Sequence, residues 1–178
     1  MNKSAMMKYL VLFLPWLFVS CGPMASVDFD PETNFSQYNS YDFYPSIDSG
    51  LSELDNKRIM GVLDSLMPLK GFQKSESPQI LINFYAKEHL TNSRNTIGIG
   101  IGSGGGNVGV GVSGGIPIGG AEVEQQLTVD FIDVNADALI WQGILESRYK
   151  EKSTPKQMDV HYFDALQKLL RKYPPLKK

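Results

Sequence analysis

The sequence predicts an α+β domain: a mainly antiparallel sheet with two helices packed on one face and a glycine-rich β-hairpin. Three observations lead there. Residues 123–134 alternate apolar and polar side chains, and after a turn at 135–137 a second apolar run covers 138–146. This is the strongest hairpin pattern in the chain. Two segments, 52–67 and the stretch after Thr154, space their apolar residues as helices do. The order is strand, strand, helix, strand, glycine segment, strand, strand, helix. Hairpins dominate it, as in folds whose helices segregate to one face of an antiparallel sheet.

The first strand is short. Val27-Asp28-Phe29-Asp30 alternates and is closed by Pro31. Aromatic residues then recur at Phe35, Tyr38, Tyr41 and Phe43, and Tyr41–Tyr44 reads as a second strand stopped by Pro45. Such aromatics could line a ligand groove, but core and edge packing is their usual use. Residues 52–67 carry Leu54, Ile59, Val62, Leu63, Leu66 and Met67 as one stripe. Ser52 with Asp55 resembles a capping box, and Gly71 suits the residue after the helix end.

Gln79–Tyr85 is apolar and rich in β-branched and aromatic residues, so it predicts a central strand. In the next strand Val123, Gln125, Leu127, Val129 and Phe131 share one face, and Glu124, Gln126, Thr128 and Asp130 the other. The last helix opens on Thr154-Pro155-Lys156-Gln157: a Thr cap, Pro at the first helical position, and Gln three residues after the cap. Met158, Tyr162, Ala165, Leu166 and Leu169 form its apolar stripe, and Pro174-Pro175 ends it.

Composition narrows the class. The 178 residues suit one domain, and 17 basic against 19 acidic residues leave no electrostatic footprint for nucleic acid. The N-terminus has its own logic. Lys3 and Lys8 precede an uncharged apolar run from Tyr9 to Val19, and Ser20-Cys21-Gly22 follows. That order marks a secretory signal, and 11 apolar residues are too few for a spanning helix, which needs about 20. Cys21 is the one cysteine of the chain. Leu17-Phe18-Val19-Ser20-Cys21 resembles the bacterial lipobox, with Phe18 as a departure, and implies lipidation of Cys21. The expected layout is a signal peptide at 1–20, a lipidated tether at 21–26 and a single domain at 27–178. An outer-membrane lipoprotein facing the periplasm is the expected location, because no Asp follows the cysteine.

Residues 97–120 are half glycine. They contain GxGxxG twice, at Gly100-Gly102-Gly105 and Gly109-Gly111-Gly114, and GxSxG at Gly111-Ser113-Gly115. A dinucleotide fingerprint needs a helix opening at its last glycine, because the free N–H groups of that helix hold the pyrophosphate. More glycine or Ile-Pro-Ile follows here instead. GxSxG together with Asp130, Asp133, Asp137 and His161 gives the Ser, acid, His order of α/β-hydrolases, but the required strand-to-helix elbow is missing. The segment reads better as a hairpin turning at Gly104-Gly105. Ile101 then faces Val108, Ile99 faces Val110 and Ile97 faces Val112, with glycine on the other side. Asp133, Asn135 and Asp137 match the opening of a calcium loop, but Ala138 and Ile144 stand where its glycine and glutamate belong. No carboxylate or cysteine lies at metal spacing around His89 or His161.

The order of several segments resembles the bacterial lipoproteins of the family called domain of unknown function 4136. VDFD at 27–30, FSQYNSYDF at 35–43, KGF at 70–72, PQILINFY at 78–85, LTVDFIDVNADALIWQG at 127–143 and KLLRKYPP at 168–175 carry the resemblance. It implies no activity and no catalytic residues. The expected function is therefore a lipid-anchored envelope module for binding or assembly, with no cofactor or metal. Its expected partners are the membrane, through lipidated Cys21, and an envelope protein, not nucleic acid. The alternative is an envelope hydrolase using Ser113 or the carboxylates Asp130 and Asp133.

Overall fold

A computed structural model describes residues 24–91, 96–97, 116–117 and 120–175. Strands β1 (Met24–Phe29) and β2 (Ser40–Phe43) precede helix α1 (Glu53–Leu66). Strands β3 (Gln73–Lys74), β4 (Ile80–Thr91), β5 (Thr96–Ile97), β6 (Ile116–Pro117), β7 (Glu122–Asp133) and β8 (Ala138–Lys150) follow, and helix α2 (Pro155–Leu170) closes the chain. Six strands form one sheet in the order β1-β8-β7-β4-β2-β3, and β5 pairs with β6 separately.

The sheet is mixed, which corrects the expectation of a mainly antiparallel one. Strands β4, β7, β8 and β1 pair antiparallel, but β2 runs parallel to both β3 and β4. The cause is the helix between them. Two strands joined by a tight turn run in opposite directions, whereas a helical crossover returns the chain to its starting end and makes the next strand parallel. Helix α1 is that crossover. The hairpin expected at 97–112 is also altered at its open end. Ile97 pairs with Ile116, not with Val112. The other pairs of that register lie outside the described residues.

Local chemistry sets both helices. The Ser52 hydroxyl accepts from the Asp55 N–H at 3.2 Å and donates to the Asp55 carboxylate at 2.6 Å. Asp55 thus answers the cap hydroxyl rather than the cap N–H that a full capping box would use. Ile59, Leu63 and Leu66 are buried, while Leu54, in the first turn, is 63% exposed and lies off the expected stripe. After a short turn at Met67–Lys70, Gly71 takes φ 86°, a left-handed conformation that side chains resist. Helix α2 has the full capping box between Thr154 and Gln157, with Pro155 in its first turn. It buries Met158, Tyr162, Ala165, Leu166, Leu169 and Leu170. Each leucine or methionine among them contributes roughly 1.5–3 kcal/mol on full burial. The Arg58 Nε of α1 bonds the Asp159 carboxylate of α2 at 2.9 Å and ties the helices together.

Both helices cover the face of the sheet that carries Phe84, Leu127, Val129, Phe131 and Leu145, all fully buried. Trp141 sits at the centre of an aromatic group, 4.7 Å from the Phe131 ring and 5.7 Å from Tyr173. Phe35, Tyr41 and Phe43 join this core, so the aromatic run of 35–44 supplies packing rather than a groove. Beside Trp141, Gly143 leaves room for Leu169 of α2. A Cβ there would lie 2.5 Å from the indole and 2.7 Å from the leucine.

Candidate functional site

The sequence-predicted residues separate in the structure. Cys21 and Ser113 lie outside the described residues. Asp130 stands on the helix-free face of β7, 9% exposed, where Gln142 of β8 donates to it at 2.8 Å. Burial pushes its carboxyl above the ordinary range, against the Gln142 hydrogen bond. Asp133 is used differently. It accepts the N–H groups of Asn135 and Ala136 at 2.7 and 3.0 Å and the Tyr38 hydroxyl. The Tyr38 bond first, then the Ala136 N–H, holds its carboxyl below the usual range. Asp130 and Asp133 therefore share no partner and are pushed in opposite directions. The 133–137 stretch is a turn, with Asp137 at φ 47°, as Asp tolerates. His89 is exposed and lies across from Glu124 of β7. His161 meets Ser147, its Nε2 3.4 Å from the Ser147 hydroxyl, which is long for an O–H···N bond.

A group that the sequence did not single out gathers around Gln125. Alternation places this residue on the same face as Leu127, Val129 and Phe131. Its strand neighbours on that face are Glu88 of β4 and Ser147 of β8, so a polar row continues the apolar rows of the core. Helix α2 covers the row with His161 and Tyr162. The Gln125 Nε2 donates to the Glu88 carboxylate at 2.8 Å and to the Tyr162 hydroxyl at 3.2 Å. Tyr149 donates to the same Glu88 oxygen at 2.7 Å. The His161 ring packs edge-on between Tyr149 and Tyr162, with centroids at 5.0 and 5.2 Å.

One atom of this group lacks a partner. Gln125 is 2% exposed, and its side-chain Oε1 accepts no hydrogen bond. An unsatisfied buried acceptor costs about 1–3 kcal/mol. Turning the amide over would not cure it, because Nε2 must face the Glu88 carboxylate. A cavity of about 850 Å³ meets Gln125 here, and Glu88, Ser147, His161 and Asp164 share its helix-side wall. The lining also includes Met24 and, from the other face of the sheet, Lys87, His89, Glu124, Gln126, Glu146 and Arg148, so only part of that volume belongs to the Gln125 side.

Carboxylates outnumber cations in the lining, with Glu88, Glu124, Glu146 and Asp164 against Lys87 and Arg148. Burial lowers the His161 pKa below the ordinary histidine value, while Asp164, Asp55 and Glu88 oppose the shift. The imidazole is thus neutral near pH 7 and can accept a proton or a hydrogen bond. Burial, the larger cause, and neighbouring carboxylates push the Tyr162 phenol up to about 12, so it remains a neutral donor. Arg58 lies outside the lining and is held by Asp55 and Asp159 at 2.9 Å each, while Arg148, in the lining, pairs with Glu124 at 2.7 Å. Among the described residues no three His, Cys, Asp or Glu groups come together to hold a metal ion. Sequence reading missed this site because Gln125 looked like one more member of an alternating strand. A polar residue on the apolar side of that alternation was the available signal.

Fold and pocket together define a mixed α/β domain: an open six-stranded sheet with two helices on one face. The chain belongs to the family described as domain of unknown function DUF4136, whose pattern matches residues 25–175. No curated protein matches the sequence. Among solved structures, a PDZ domain protein from Parabacteroides distasonis is similar over 88% of this chain, with a TM-score of 0.54 and 15% identity. This chain spans 38% of the length of that protein, and the likeness concerns the fold. A PelC dodecamer from Paraburkholderia phytofirmans matches with a TM-score of 0.40 and 10% identity, over 83% of this chain and 94% of that one. A putative neuraminyllactose-binding hemagglutinin homolog from Helicobacter pylori matches at 0.41 and 12%, over 78% and 85%.

Proposed function

We propose that this protein is a cell-envelope module, lipid-anchored at Cys21, that binds a small ligand or a ligand group in the pocket around Gln125. The observation behind the binding role is the buried, partnerless Oε1 of Gln125, a residue that lines a cavity. Folding leaves such an acceptor unmet at a cost, and a bound donor group would satisfy it. Among the described residues no helix is long and apolar enough to cross a membrane, so attachment would rest on the acylated cysteine.

Two experiments test this reading. A Cys21→Ser variant is expected to leave the membrane fraction; retention there would refute the anchor. For binding, thermal shift against chemically diverse small molecules should find a compound that stabilises the wild type but not Gln125→Leu. If no compound of any class separates the two, the pocket is not a binding site. The hydrolase alternative keeps one supporting observation, the raised carboxyl of Asp130, which could hold a proton. Loss of a measured hydrolytic activity in Asp130→Asn or Ser113→Ala would favour it over binding.

A further inference from the structure

Resting on that binding reading, we infer that the Gln125 pocket selects a primary ammonium group. Its wall offers acceptors and negative charge. Gln125 Oε1 is buried and accepts nothing. Gln125 and Tyr149 both donate to the Oε1 oxygen of Glu88. The other Glu88 oxygen has no partner among the described residues, and the exposed Asp164 carboxylate has none either. Neutral His161 adds an imidazole nitrogen at the same wall.

An ammonium carries three N–H donors and no acceptor, so it suits a site of several acceptors in different directions. A carboxylate or phosphate would meet Glu88 and Asp164 with like charge. A neutral alcohol could bond Gln125 but would leave the two carboxylates without a counter-charge. The cations nearby do not occupy the role: Arg58 is shared between two aspartates, Arg148 pairs with Glu124 at 2.7 Å, and Lys87 stands with Gln126 on the other face of the sheet.

The ammonium could belong to a free amine or to a lipid headgroup, and two arms separate these sources. In the first, the full chain is titrated with 1,5-diaminopentane while the His161 ring resonances are followed by NMR. In the second, the protein meets vesicles of phosphatidylethanolamine, with phosphatidylglycerol vesicles as the comparison. A saturable His161 shift in either arm supports the ammonium reading and names its source. The shift should weaken about ten-fold or more in Glu88→Gln, the usual scale for losing a hydrogen bond to a charged group. Asp164→Asn, a change on the exposed side of α2, should weaken it with the fold intact. The same shift from 1,5-pentanediol, or no saturable shift in both arms, would overturn the inference. If a compound of another class passed the Gln125→Leu test in that case, the binding role would stand and only the ammonium specificity would fall.

Discussion

Replacing Gly143 with Ala should destabilise the domain, and the structure shows by what route. Gly143 occupies a core position of β8, under α2 and beside Trp141. An added Cβ would lie 2.5 Å from the indole and 2.7 and 2.9 Å from the two methyl carbons of Leu169. All three are closer than carbon atoms normally approach, so something must move. Both neighbours are poorly placed to yield. Trp141 and Leu169 are fully buried, and Phe131 and Tyr173 stand against the indole at 4.7 and 5.7 Å. Overpacking of this kind costs roughly 1–3 kcal/mol. Removing a glycine from a strand returns roughly 0.5–1 kcal/mol. Three contacts under 3.0 Å put this site in the upper part of that range, so the net loss is about 1–2.5 kcal/mol, or a fall in Tm of roughly 2–10 °C for a domain of this size. A two-state thermal melt followed by near-ultraviolet circular dichroism measures it and reports the Trp141 environment directly. A Gly143→Ala protein as stable as the wild type would refute the argument, because it would mean that α2 can lift from β8 without penalty.

Other perturbations follow from the same contacts. Asp130→Asn should raise Tm at pH 7, since burial lifts the carboxyl pKa in the folded state and the ionised form opposes folding above that pKa. The gain should vanish near pH 3, where folded and unfolded carboxyls are both protonated; an equal gain at both pH values would rule out the charge as its origin. His161 gives the opposite dependence. Its folded pKa lies below the ordinary 6.5, so its contribution is complete above 6.5 and is lost as pH falls from there to the folded value. His161→Gln should flatten that part of the stability profile, and an unchanged slope in denaturant titrations would contradict the burial. Thr154→Ala removes the hydroxyl that caps α2 and should cost about 1 kcal/mol in urea unfolding. Gly71→Ala, at φ 86°, should cost roughly 1–2 kcal/mol, and a neutral result would show that the turn can rearrange.

Much of the architecture was legible because it depends on neighbours in sequence. Ser52, Thr154 and Pro155 mark helix starts through bonds that span three residues, and Met158, Tyr162 and Leu166 declare a buried stripe by spacing alone. Strand β7 declares its faces in the same way. The direction of β2 was not legible, because it depends on where α1 returns the chain. Strand β3 is two residues long and carries no periodic signal. Leu54 fits the helical spacing yet lies beyond the reach of the sheet. The candidate site was hidden for a related reason. Glu88, Gln125, Ser147 and His161 come from four elements, and only the pairing register brings them to one row. The aspartates that drew notice, Asp130 and Asp133, differ because cross-strand and turn partners, not sequence spacing, set their environments.

The pairing of Met24 with Glu146 has a geometric consequence for the proposed anchor. Glu146 is the chain neighbour of Ser147, which lies at the pocket wall. Sheet pairing begins three residues after Cys21. Three extended residues span at most about 11 Å. An acyl chain on Cys21 would therefore hold this end of the sheet close to the lipid headgroups, with little freedom to swing away. The pocket would sample the layer of water at the bilayer surface. A ligand diffusing in the plane of the membrane could then meet it by a search in two dimensions, while a bulky polymer in the surrounding water would have to approach along the bilayer surface.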